Sequence, residues 1–169
     1  MSAAGIAVAQ TSRVDPASAE RKLQLRSRVR AGAGWLMAVA IFSVLNSAVM
    51  MLDAKLHFIV GLGITQIADG MGKVAGPAGV AAGLVVTLIT AGVFLVLWKF
   101  AREGHPWAFL IGMILYGLDG LIFLGFRLWL DLAFHAFAIF NLYQGLQAVN
   151  ALNQLNRQPV GFAGQPIVR

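Results

Sequence analysis

The 169-residue chain has no cysteine. Disulfides, thiolate-ligated zinc and thiol–quinone redox chemistry are therefore excluded. Charge is also scarce: 12% of residues are Asp, Glu, Lys or Arg, about half the usual share of a soluble domain. With 59% hydrophobic residues, so thin a polar surface points to lipid as the solvent of the fold. Enzyme signatures are missing too. The sequence contains no HExxH, no GxSxG and no glycine-rich phosphate loop after a strand. A haem bundle would ask for paired histidines inside the spans, and only His135 lies well within one.

What is present is a set of long apolar runs. Residues 31–52, 75–98, 107–126 and 128–149 are each long enough to cross about 30 Å of hydrocarbon as helices. The last has a polar margin that reaches residue 152. Helices satisfy their own backbone in lipid, so the expected class is all-α: a bundle of four transmembrane helices. The net charge of +6 is concentrated at Arg13, Arg21, Lys22, Arg26, Arg28 and Arg30, ahead of the first run. That placement fits orientation and contact with anionic lipid headgroups better than binding of nucleic acid. If the N-terminus is cytoplasmic, that side holds ten of the thirteen basic residues. Both termini are then expected inside, with Trp35, Trp98 and Trp107 at the inner boundary and Trp129 at the outer one. The apolar patch near residue 5 is short and precedes the basic run, so a cleaved signal is not expected.

Residues 1–30 read as a cytoplasmic basic arm. Its helix is capped by Asp15 with Pro16 first, and it either lies on the lipid surface or extends span one. Residues 153–169 read as a disordered cytoplasmic tail. Gly104 and Pro106 stop and restart helices between spans two and three. Gly125 is placed to end span three, and Asp131 to cap span four.

Between spans one and two lies a shorter apolar segment, residues 57–72, which suits an interfacial or re-entrant helix on the outer side. Val60, Ile64, Ile67 and Met71 share a helical spacing, while Thr65, Gln66 and Asp69 gather elsewhere. The plain reading is a cover for the bundle, and the sharper one a lid over a polar pocket. Along span two, Ala75, Gly79, Gly83, Thr87 and Ala91 form a stripe of small residues that should meet another helix. Packing within one chain is favoured over a homodimer interface, which uses the same physics.

Polar residues inside the spans carry the functional reading. Asp119 lies six residues before Gly125, roughly 9 Å from that end, and His135 lies one turn below Asp131. A tight hairpin puts Asp119 and His135 at one level, and Asn46 on span one is about as deep. The expectation is one outer-half cluster of Asn46, Asp119 and His135, reached by Gln66 or Asp69. Such groups are costly in lipid and usually have partners. A buried Asp–His bond can also simply fix how two helices dock. A metal site from Asp53, His57, Asp131 and His135 is the weaker alternative, because the Asp-xxx-His spacing is unspecific. No cofactor is expected.

The stretches HFIVGLGITQIADGMG and GMILYGLDGLIFLGFRLWLDLAFHAFAIF resemble those of small uncharacterised bacterial four-span membrane proteins. The resemblance covers the membrane part and implies the bacterial inner membrane. No activity comes with it. The leading expectation is a non-enzymatic membrane protein whose outward-facing pocket at Asp119 and His135 takes a small molecule, lipid or partner protein. Its rivals are a proton-coupled transporter or channel subunit and a membrane-embedded metal enzyme.

Overall fold

The computed structural model describes residues 16–51 and 62–157. These form five helices: α1 (Pro16–Met51), α2 (Gly63–Val74), α3 (Pro77–Arg102), α4 (Pro106–Gly125) and α5 (Trp129–Arg157), with no strand among the described residues. Three of them, α1, α3 and α4, are long and apolar enough to cross a membrane. Helix α5 is not in that set although it has 29 residues. From its middle onward it carries Asn141, Gln144, Gln147 and Asn150, which dilute the apolar run.

The basic arm from Pro16 and the first apolar run are one continuous helix, α1. Of the two placements open to the arm, extension of the span is the one found. Straight-chain Lys, Arg, Leu and Gln favour helix, and nothing between residues 22 and 36 breaks it except the tolerated Gly32 and Gly34. Helix α5 runs to Arg157, so the first five residues of the tail expected from 153 are helical, which corrects that boundary. Residues 153–157 are Asn-Gln-Leu-Asn-Arg, polar but free of Pro and Gly.

The turns are set by backbone chemistry. Gly76 at φ 78° separates α2 from Pro77, which opens α3. Gly104, at φ 91°, ends α3: its own N–H bonds the Ala101 carbonyl, and the His105 N–H bonds that of Phe100. This is the paired closure that favours glycine at a helix end. Between α4 and α5 the same closure falls on Arg127 at φ 56°, with Arg127 N–H to Leu124 and Leu128 N–H to Phe123. Gly125 is therefore the last helical residue, and the left-handed position belongs to a residue with a Cβ.

Helix α1 packs against α3 and α5, and α4 against α5 and α3, with α2 laid on α3, α1 and α4. Contacts run in opposite directions along neighbours. Gly145 of α5 meets Phe109 near the start of α4, while His135 meets Gly120 near its end. Large side chains on α3 and α4 such as Leu88, Ile89, Val96, Ile114 and Leu118 point outward. The buried side is lined by Leu36, Phe94, Phe109, Tyr116 and Leu142. An exposed apolar coat around such a core is what a hydrocarbon solvent selects.

Candidate functional site: a polar latch on the short helix

Asp119 is buried near the end of α4, and His135 two turns into α5. The hairpin brings His135 Nε2 to 3.1 Å from Asp119 Oδ2, with side chains 1% and 5% exposed. Gly120 makes room for the ring, since a Cβ there would meet His135 Cβ and Cδ2 at 3.3 Å. Tyr116 stacks on the imidazole at 4.0 Å between centroids and 15° between planes, and Phe123 lies tilted at 4.9 Å.

The other His135 nitrogen, Nδ1, is 2.9 Å from the Asp131 backbone carbonyl. A carbonyl only accepts, so Nδ1 carries a hydrogen. One further proton then lies between Nε2 and Asp119 Oδ2. Two backbone donors reach the same carboxylate: Gly63 N–H to Oδ2 at 2.7 Å and Ile64 N–H to Oδ1 at 2.9 Å. Asp119 thus gathers the His135 ring and two main-chain N–H groups on one carboxyl group.

Gly63 and Ile64 open α2. The residue at its N-cap position, Leu62, has no side-chain acceptor, so the capping carboxylate comes from α4, 55 residues away from Ile64. Leu62 N–H is taken by Ser43 Oγ at 3.1 Å, and Ser43 itself donates to the Val39 carbonyl at 2.8 Å. Three N–H groups that a helix start leaves open are thus filled by α1 and α4. Gly63 is required for the approach, because a Cβ there would stand 2.9 Å from the Phe123 ring.

A second contact holds the middle of α2. Ser47 donates to Asp69 Oδ2, and Ser47 Oγ lies 2.8 Å from Thr87 Oγ1 of α3. Asp69, Ser47 and Thr87 are all buried. The small-residue stripe of α3 is what α2 rests on. A Cβ on Gly79 would meet the Gly72 carbonyl oxygen at 2.5 Å, and one on Gly83 the Asp69 Oδ1 at 3.0 Å.

The single cluster expected from sequence is therefore two. Asp119 and His135 meet; Asp69 joins Ser47 and Thr87 instead. Asn46 is buried and Gln66 half-buried. Asp131 is the third residue of α5 and not its N-cap, because the Schellman-type closure at Arg127 lets the helix begin at Trp129. Its contribution is its main-chain carbonyl. Asp53 and His57 lie outside the described residues. Among those described, no group of three or more His, Asp or Glu is placed to hold a metal ion. Ser43, Ser47, Tyr116 and Gly120 were not anticipated. The four-residue step from Ser43 to Ser47, with Asn46 between, is the signal in α1 that points to a polar face.

A comparison with protein-family models, curated proteins and solved structures finds no match to this chain.

Proposed function

We propose that the chain is a non-enzymatic inner-membrane protein of a bacterium, crossing four times as a helix bundle with both termini cytoplasmic. In this reading α5 is the fourth span, with its Asn- and Gln-rich end leaving the bilayer on the inner side. Helix α2 is a re-entrant cap on the outer side. The polar centre at Asp119 and His135 is the site beneath that cap, taking a small molecule, lipid or partner protein. One observation carries it: Asp119 spends both oxygens on the first turn of a helix from elsewhere in the chain. Whatever reaches the pair must first displace α2.

The proton shared by Asp119 and His135 also supports a second reading, a proton-coupled transporter or channel subunit. That reading needs water at a pair that is 6% and 1% exposed, so it too requires α2 to move.

Two experiments test the proposal. The absence of cysteine makes single-cysteine labelling unambiguous. In spheroplasts, an impermeant maleimide should label Val74→Cys and Arg127→Cys and spare Gln24→Cys and Gln154→Cys. Labelling of Gln154→Cys with Arg127→Cys would remove the fourth span. For the site, native mass spectrometry in mild detergent should show a discrete added mass on the wild type that is lost from folded Asp119→Asn. A bare wild type alongside an unstable variant would reduce the pair to a packing role.

A further inference from the structure

A second feature lies at the opposite end of the helices. Arg30 of α1 and Trp98, Lys99, Arg102 and Glu103 at the end of α3 line an open recess of about 310 Å³. The antiparallel packing of α1 on α3 explains the meeting, since Ser47 faces Thr87 and Arg30 falls level with the last turn of α3. Three cations face one carboxylate there. That carboxylate, Glu103, is directed to the His105 ring, 3.8 Å away. The Arg102 guanidinium is fixed over the Trp98 ring, 5.2 Å from its centroid.

Lys99 and Arg102 by themselves complement the negative end of the α3 dipole. Arg30 has no such reason, being in the interior of α1, and it adds its charge from a different helix. Every basic group lies just beyond an apolar run: Arg30 before the run that starts at Ala31, Lys99 and Arg102 after the one that ends at Trp98. Below the recess, Val93, Leu95 and Val96 of α3 and Ile41 of α1 are exposed and apolar.

We propose that this recess binds the headgroup of an anionic phospholipid from the inner leaflet. Arg30 and Arg102 clasp the phosphodiester, Lys99 adds charge, Trp98 sits at the glycerol level, and the acyl chains lie along the α1–α3 face. The proposal rests on the membrane reading above. Guanidinium groups give paired hydrogen bonds to phosphate oxygens that a diffuse positive surface does not. The site is therefore distinct from the general attraction of the N-terminal arm for anionic lipid.

The test compares two double variants of the full chain, each losing two positive charges. Arg30→Gln with Arg102→Gln removes the clasp; Arg21→Gln with Arg26→Gln removes two exposed arginines of the arm. Native mass spectrometry in detergent, with phosphatidylglycerol or phosphatidylcholine added, reads the bound lipid. The expected result is at least a tenfold loss of phosphatidylglycerol adducts in the first variant. The second should stay within about twofold of the wild type, with little phosphatidylcholine bound throughout. Should the first variant fail to fold, Lys99→Gln gives the same reading with a smaller loss. Equal losses in the two pairs, or equal binding of both lipids, overturn the site. Release of the chain from membranes by alkaline carbonate overturns instead the membrane reading beneath it.

Discussion

Asp119→Ala should destabilise the protein by about 3–5 kcal/mol and free α2 while α4 and α5 stay helical. The substitution leaves the buried Gly63 N–H and the partly buried Ile64 N–H without acceptors. Each such orphan costs about 1–3 kcal/mol. It also takes away the hydrogen-bond partner of His135 Nε2, on a buried ring packed between Tyr116 and Phe123. His135→Ala should cost less, because Asp119 keeps both backbone donors and loses only the ring. The check is reversible unfolding in mixed detergent micelles, followed by circular dichroism. Equal small losses for the two variants would show that α2 is held by its Gly72–Gly79 contact with α3 and not by the carboxylate.

Gly32→Leu should prevent the helices from assembling, or leave a protein that unfolds at far lower denaturant than the wild type. At Gly32 the obstacle is main chain. A Cβ would stand 2.6 Å from Gly145 Cα, 3.1 Å from Gly145 N and 3.2 Å from the Asn141 carbonyl oxygen. No rotamer change relieves a clash with backbone, so α1 and α5 must separate. Gly145 is fixed from both sides, since its own Cβ would meet the Phe109 ring at 2.6 Å as well as Gly32. Overpacking a core commonly costs about 1–3 kcal/mol, and one that parts two helices exceeds that range. Gly34→Leu is the matched control, because a Cβ at that position would meet nothing within 4 Å. Thermal aggregation profiles of the two variants should differ widely, and similar profiles would place the α1–α5 crossing elsewhere.

Several parts of this arrangement were legible in the sequence. The apolar runs give α1, α3 and α4, and hairpin arithmetic puts Asp119 and His135 at one level. The glycine stripe of α3 announces a close neighbour. What hydropathy supplies is depth, and depth leaves rotation open. Asp131 and Asp119 were both within reach of His135, and only the turn at Arg127 decides that one offers its carboxylate and the other its carbonyl. Gly79 and Gly83 of the stripe proved to face α2, which is too short to look like a packing partner, while Thr87 meets Ser47 of α1.

The main partner of Asp119 was not legible at all. It is the backbone of Gly63 and Ile64, and main-chain donors leave no mark in a sequence pattern. A search for side chains to pair with Asp119 finds Asn46 and Gln66, which are polar and at the right depth. The helix start is the stronger claimant, because it brings two aligned donors and the positive end of a dipole. Asp69 was diverted for a similar reason: Ser47 and Thr87 sit beside it on the two helices that flank α2, so it never reaches across to α4.

Whether the Asp119 carboxylate holds the first turn of α2 can be read directly by hydrogen exchange. Peptides covering Leu62–Val74 should exchange slowly in the wild type and at least a hundredfold faster in Asp119→Asn, a change that removes charge with little change of shape. Peptides from α4 and α5 should keep their protection in both proteins. Unchanged protection of Leu62–Val74 in the variant would contradict the latch, and α2 would then be a fixed part of the core.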